Sequence, residues 1–488
     1  MRVKLFIILC VLFCKHTAIA QEDLPTDFLS AEFHKGRRNA FKKLMPPNSV
    51  AIFFANPVQN RSNDVDFIFH QDPNLYYLSG YREPNGVLVI FSETPKGSNT
   101  EYDEILFVQP RNPDQEQWTG YRLGVAGAKE KLGINTVYET KDFIDNGIDF
   151  SSFSTVLLSQ PKGAYTDDPQ NHLDSFDLLD SFLRQMGHSI TVPQSNVNLD
   201  VSPLRTVDKK IDPSTLHHIM ASLRQIKTPE EIELLSKAAK ISAIGQYEIM
   251  KAMHPKMSET EIQGVHEYIY KKYGSEFEGY PSIVGAGANG CILHYIENNK
   301  TKVGNELVLM DLGAEYRGYT ADVTRTIPAN GQFTEPQKKI YNLVLRAQEA
   351  GIEQAIVGSD FKRVDDVSRD IIYKGLLELG IISSLDEGRQ YYPHSVGHYL
   401  GLDVHDLGLD GAFEENMVIT VEPGIYIPED ADCDPKWHGI AVRIEDDIHI
   451  TKNGPINLSE YAPRTVEQIE LLMKEESVLN NFVLPRVD

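Results

Sequence analysis

Leu307-Val308-Leu309-Met310-Asp311 is an apolar run that ends in a carboxylate. Leu312-Gly313 and a turn follow, and the chain returns as Tyr319-Thr320-Ala321-Asp322-Val323-Thr324-Arg325-Thr326. Read as a strand with period two, the return puts Thr320, Asp322, Thr324 and Thr326 on one face. Paired as a hairpin, the two segments bring Asp311 and Asp322 close together. Carboxylates at turns and strand edges are common, so this pair alone does not define a site.

Further along, Pro393-His394-Ser395-Val396-Gly397-His398-Tyr399-Leu400-Gly401-Leu402-Asp403-Val404-His405-Asp406 sets three histidines in one glycine-punctuated stretch. Glycine there lets the backbone turn sharply or approach closely. Met417-Val418-Ile419-Thr420-Val421-Glu422-Pro423-Gly424 is a strand-like run that ends in a glutamate before a Pro-Gly turn. In Val442-Arg443-Ile444-Glu445-Asp446-Asp447, alternation puts Arg443 and Glu445 on one face, where the guanidinium can balance the acids. Singly, each histidine reads as a core or surface residue and each glutamate as a strand-end charge. Together, Asp311, Asp322, His398, Glu422 and Glu445 are a donor set that would repel itself in a folded interior unless cations held it. The expectation is a site for two divalent metals in a metallohydrolase. Oxygen donors with a single imidazole suit a hard or intermediate ion, Mn²⁺ before a thiolate-preferring metal.

Helices frame these strands. Thr228, Pro229 and Glu231 make a capping box, Ser258 and Glu261 repeat it, and Thr334, Pro336 and Gln337 start a third helix. In the third, Ile340, Leu343, Val344 and Ala347 form one apolar stripe. A fourth helix is expected over residues 363–379, ending at Gly380. This is an α+β domain with helices outside sheets, assigned to 228–488. Upstream, Val50-Ala51-Ile52-Phe53-Phe54, Val87-Leu88-Val89-Ile90-Phe91 and the 104–108 run read as buried strands, so 21–204 is a smaller mixed α/β domain. The polar, proline-containing segment after it makes 205–227 the linker region.

The first 20 residues differ. Arg2 and Lys4 precede an apolar run from Leu5 to Phe13, and Ala18-Ile19-Ala20 offers a cleavage site before Gln21. This is the layout of a signal peptide, so the protein is expected to be exported, periplasmic or secreted, with no membrane anchor in the mature chain. Of four cysteines, Cys10 and Cys14 fall in that segment, which leaves Cys291 and Cys433 as the only pair that could bridge. Asn60, Asn299 and Asn457 head glycosylation sequons, which matter only in a host that glycosylates. With 488 residues, 41% hydrophobic and 24% charged, the chain is long enough for two or three globular domains. A net charge of −23 argues against a nucleic-acid surface.

The order of hairpin carboxylates, histidine loop and strand-end glutamates resembles the metallopeptidase family of aminopeptidase P, prolidase and methionine aminopeptidase. Ile283-Val284-Gly285-Ala286-Gly287-Ala288-Asn289-Gly290-Cys291-Ile292-Leu293-His294-Tyr295 resembles the aminopeptidase P form of its first histidine motif. The 60–84 stretch, with Arg61-Ser62 and Tyr77-Leu78-Ser79-Gly80, resembles that enzyme's N-terminal domain. The resemblance implies a C-terminal pita-bread catalytic domain and an exopeptidase that cuts between an N-terminal residue and a following proline through a hydroxide that two metals activate. Asp311 would hold one ion, Asp322 and Glu445 would bridge, and His398 and Glu422 would complete the second. Mn²⁺ is implied, although cobalt or zinc could occupy such a site.

By the same resemblance, Glu422 is the proton acceptor, His294 and His405 contact the peptide and steady the tetrahedral intermediate, and His394 walls the proline pocket. Arg443 supports the donor shell, and Asp64, Arg224 and Tyr426 match positions around the site. Trp118 resembles an aromatic that reaches a neighbouring subunit, which implies a dimer or tetramer. A prolidase limited to dipeptides and a non-catalytic peptide-binding protein on the same fold are the alternatives. Methionine aminopeptidase would not need the large N-terminal domain, and a creatinase-like relative lacks the ligands.

Overall fold

The structure is a computed structural model that describes residues 25–94, 102–145, 148–158, 173–187, 209–481 and 484. The expected signal segment, with Cys10 and Cys14, lies outside the described residues. Cys291 and Cys433 are both free thiols. No described helix is long and apolar enough to cross a membrane.

The N-terminal domain is built on one five-stranded sheet. Ser49–Phe54 pairs antiparallel with Val87–Phe91 and parallel with Thr155–Leu158. Glu104–Val108 and Val137–Glu139 extend the other edge. The two central strands are apolar without interruption because both faces are covered. Ala51, Phe53, Leu88 and Ile90 pack with Phe33 and Phe41 of the helix Ala31–Leu44. Val50, Ile52, Val87 and Val89 pack on the opposite face with Phe182 of the helix Ser175–Gln185. Within 205–227 the chain forms a helix, Pro213–Arg224, N-capped by Asp212. Its Leu216, Ile219 and Met220 are buried in the core that the N-terminal domain shares with Tyr319 and Leu402.

The C-terminal domain repeats one order, a helix pair followed by short antiparallel strands. Pro229–Ala252 begins with a complete Thr228/Glu231 capping box, and Ser258 caps Glu259–Lys272 through the Glu261 amide. The second pair is Glu335–Gln354, with a complete Thr334/Gln337 box, and Phe361–Glu378. Under the first pair, Leu307–Asp311 lies between Ile283–Ala286 and Thr324–Pro328, with Asp311 opposite Thr324. Under the second, Val418–Val421 pairs with Asp446–Thr451, and Gly424–Ile427 with Ile440–Arg443.

The return strand expected over residues 319–326 is two strands. Tyr319–Thr320 pairs with Ala314–Tyr316 in one sheet, and Thr324–Pro328 joins Leu307–Asp311 in another. Residues 321–323 make the crossing. Two glycines let it pass, because a Cβ on Gly313 would sit 2.0 Å from the Ala321 carbonyl and one on Gly279 1.6 Å from the Thr320 hydroxyl. Gln246, fully buried on the long helix, donates to the carbonyls of Met310 (3.0 Å) and Val323 (2.8 Å) at the crossing.

Candidate metal centre

Three carboxylates of the donor set occupy crossings of this kind, and the fourth, Asp311, is the last strand residue before one. Asp311 ends Leu307–Asp311, before the chain enters the sheet of Ala314–Tyr316. Asp322 lies between Tyr319–Thr320 and Thr324–Pro328, Glu422 between Val418–Val421 and Gly424–Ile427, and Glu445 between Ile440–Arg443 and Asp446–Thr451. In each case the two flanking strands belong to different sheets. A residue between two sheets is not committed to either face, and Asp322, Glu422 and Glu445 turn inward with the strand-end Asp311 to one cavity of about 310 Å³. His294, His394, His398, His405 and Arg443 line the same cavity.

The histidine segment runs beside Val418–Val421. The Thr420 amide donates to the His398 carbonyl (2.9 Å) and the Glu422 amide to the Val396 carbonyl (2.8 Å). Gly397 is required for this approach, since a Cβ there would lie 2.0 Å from the Thr420 carbonyl oxygen. His398 Nδ1 is 2.9 Å from the Tyr399 carbonyl. The carbonyl can only accept, so Nδ1 donates, and Nε2 is turned toward Asp322 Oδ2 at 3.3 Å and Glu422 Oε1 at 3.5 Å. One donor atom each from Asp322, His398 and Glu445 fall within 4.8 Å of one another.

The protein supplies few countercharges. Arg443 Nη2 donates to Asp311 Oδ2 at 2.7 Å, and the Tyr280 hydroxyl bridges Asp311 Oδ1 (2.5 Å) and Asp322 Oδ1 (2.6 Å). Thr324 Oγ1 donates to Glu445 Oε2 at 2.5 Å. Burial alone would raise the Asp311 carboxyl, but Arg443 and Tyr280 outweigh it and hold Asp311 below the ordinary range. Burial and the neighbouring carboxylates push Asp322 and Glu445 well above theirs, and burial also raises Glu422. Four buried carboxylates with Arg443 as the guanidinium among them, gathered round the imidazole of His398, fit divalent cations.

On one side of the cavity, His394 Nε2 meets the Tyr426 hydroxyl at 2.8 Å and Arg443 Nη1 donates to the same oxygen at 2.9 Å. Burial and Arg443 lower the His394 pKa to about 4, so the ring that lines this side of the cavity is neutral. On the other side, His405 lies edge-on to His398 with ring centroids 4.4 Å apart, and burial lowers its pKa. His294 is exposed on the loop after Gly287–Cys291.

Arg224 does not line the cavity. It is buried behind it, donating to Asp403 Oδ2 at 2.9 Å and to Asp406, and so holds the loop that bears His405. Asp64 is exposed on the turn between Asn60–Ser62 and Val65–Asp66, outside the cavity lining. Trp118 is 89% exposed at the end of the helix Pro113–Thr119. The sequence reading missed Tyr280. A tyrosine between Gly279 and Pro281 has no periodicity to mark it, and only the fold brings it to two distant aspartates.

Comparison with known proteins gives concordant results. The profile of metallopeptidase family M24 matches residues 233–452, and that of the aminopeptidase P N-terminal domain matches residues 34–148. An Xaa-Pro aminopeptidase of Haemophilus influenzae is 37% identical over 460 residues, 91% of this chain and 97% of its own. The structure of Escherichia coli aminopeptidase P with the inhibitor Pro-Leu superposes with a TM-score of 0.78 at 33% identity, covering 92% of this chain and 99% of that one. A zinc-substituted E. coli aminopeptidase P in complex with product gives a TM-score of 0.77 at 32% identity with the same coverage.

Proposed function

This chain belongs to metallopeptidase family M24, and we propose that it holds two divalent ions, Mn²⁺ by preference, between Asp311, Asp322, His398, Glu422 and Glu445. It is a metal-dependent exopeptidase, an Xaa-Pro aminopeptidase that hydrolyses the bond between an N-terminal residue and a following proline. The observation that carries the metal assignment is the cluster of Asp322, His398 and Glu445 donor atoms within 4.8 Å, with His398 Nε2 turned toward the carboxylates. When bound, the ions lower the pKa of a water and polarise the scissile carbonyl.

The residues divide the remaining work. Asp311 would serve one ion, His398 and Glu422 would serve the other, and Asp322 and Glu445 would be shared between them. Glu422, raised above its ordinary range by burial, takes the proton from the attacking water and passes it to the departing proline nitrogen. His294 and His405 touch the peptide and steady the tetrahedral oxyanion. His394 and Tyr426 form a wall for the proline ring, whose nitrogen carries no hydrogen and whose φ is fixed. Arg443 ties that wall to Asp311, so the ring pocket and the metal shell are set by one guanidinium.

Residues 1–20 direct export to a periplasm or beyond the cell. A homo-oligomer is supported by Trp118, a large aromatic that stands 89% exposed. The deciding experiment compares Xaa-Pro dipeptides with longer Xaa-Pro-Pro peptides, using metal-analysed protein with added Mn²⁺. Release of the N-terminal residue from the longer peptides, lost in Glu422→Gln, supports the assignment. Turnover of dipeptides alone would make it a prolidase, and peptide binding without turnover a recognition protein.

A further inference from the structure

We propose that a groove beside the metal centre receives the side chain of the substrate's N-terminal residue, and that Glu315 on its far wall selects a long cationic one. This rests on the activity assigned above. The groove is a cavity of about 560 Å³ that shares His405 with the metal-site cavity. Tyr280, whose hydroxyl joins Asp311 to Asp322, lines it as well. His394 and Arg443, on the proline side, do not. A peptide with its scissile bond at Glu422 and its proline against His394 therefore extends its first residue toward Tyr280 and His405.

The wall is a row across three strands. Phe277, Glu315 and Thr320 are register partners, so they share one sheet face, and all three line the groove. Among the described residues the lining includes the carboxylates of Glu278, Glu315 and Asp403 and no lysine or arginine. Glu315 is buried, and both of its oxygens meet one donor, His70 Nε2, at 3.0 and 2.9 Å. An ionised carboxylate accepts about four hydrogen bonds, so capacity remains for an incoming cation. Beyond Glu315 a further cavity of about 210 Å³ is lined by Arg82 and Arg317 with Glu276, which pairs with Arg317, so Arg82 remains as the positive charge that disfavours a cation passing Glu315. Arginine fits best, because its planar fork matches a carboxylate and its face stacks on rings such as Phe277 and Tyr280. His70 comes from the N-terminal domain and lies edge-on to Phe277 at 5.1 Å, which makes that domain part of the specificity.

The test uses full-length, Mn²⁺-loaded enzyme and the peptides Xaa-Pro-Pro, where Xaa is Arg, Lys, Leu, Ala or Glu. Wild type should rank kcat/KM as Arg, Lys, Leu, Ala, Glu. Glu315→Gln should lower the Arg:Leu ratio about tenfold, roughly 1.4 kcal/mol, and leave Ala-Pro-Pro within about twofold. His70→Ala removes the competing donor and should raise the same ratio. If the pair only clasps two domains, both variants lower all peptides together and leave the ratio alone, which overturns the proposal. A wild type that cleaves Ala-Pro-Pro but shows no preference for arginine removes the pocket and leaves the activity. Failure to cleave any Xaa-Pro peptide removes the activity and the pocket with it.

Discussion

Glu445 and Asp446 are neighbours in the chain and both are buried, yet their surroundings are opposite. Asp446 accepts from Arg325 Nη2 (2.7 Å), Ser459 Oγ (2.6 Å) and Gln348 Nε2 (2.9 Å), with Arg464 Nη1 at 3.4 Å. Burial would raise its pKa, but the two guanidinium groups hold it below the ordinary range. Glu445 accepts from the Thr324 hydroxyl and otherwise faces Asp322, Glu422 and Asp311, so burial and those charges drive it far up. The first carboxylate has its cations within the fold. It ties the helix Glu335–Gln354, through Gln348, to the C-terminal segment, through Arg325 and the Ala462 and Pro463 carbonyls. The second is left for cations the chain does not contain. The contrast separates a structural charge from a functional one more sharply than burial does.

The comparison can be broken at either centre. The largest effect is expected at the metal site, where Glu422→Gln or His398→Ala should abolish Xaa-Pro hydrolysis with the circular dichroism spectrum unchanged. Near-wild-type turnover in either variant, with metal content measured, would refute the assignment. In metal-free protein, Glu445→Gln should be neutral or stabilising in urea, because it removes repulsion without stranding a partner. Asp446→Asn should act in the opposite sense. It leaves Arg325 buried without its anion and should lower unfolding free energy by roughly 3–5 kcal/mol. Equal urea midpoints for these two variants would erase the distinction drawn here.

His266, on the helix Glu259–Lys272, extends the comparison to a buried base with no partner. Neither ring nitrogen has a hydrogen bond, and burial lowers its pKa to about 4. The unfolded chain takes up this proton near pH 6.5, so the neutral ring's contribution is complete above that value. It is lost as pH falls from about 6.5 to 4, by roughly 3 kcal/mol at the lower end. His266→Leu should flatten the stability profile across that window, read by urea unfolding at several pH values. The smallest effect is expected for Tyr280→Phe. The protein then keeps its fold and its ligands but loses the hydroxyl that orients Asp311 and Asp322, and metal affinity should fall about 10- to 100-fold by calorimetric titration.

Local pattern carried the reading a long way. Ser49–Phe54 and Val87–Phe91 were legible because uninterrupted apolar runs form strands covered on both faces. The Thr228 and Thr334 caps were legible because a capping box is closed within four residues. The single strand expected over 319–326 was an error of the same local logic. Alternation cannot register a change of sheet in the middle of a run, and Asp322 sits at that change. Tyr280, and the His70 to Glu315 contact between domains, left no periodic trace either.

The sequence by itself determined the chemistry, four carboxylates and an imidazole in an order that matched one metallopeptidase family. It also determined the four capped helices of the C-terminal domain and the central strands of the N-terminal sheet, since those follow from nearest neighbours along the chain. Only the tertiary structure decided that Asp311, Asp322, Glu422 and Glu445 each stand at or just before a passage between sheets and turn into one cavity. The reason is physical. A crossing is made by pairings between distant strands and by close approaches at Gly279, Gly313 and Gly397, and neither is written in any single stretch of residues.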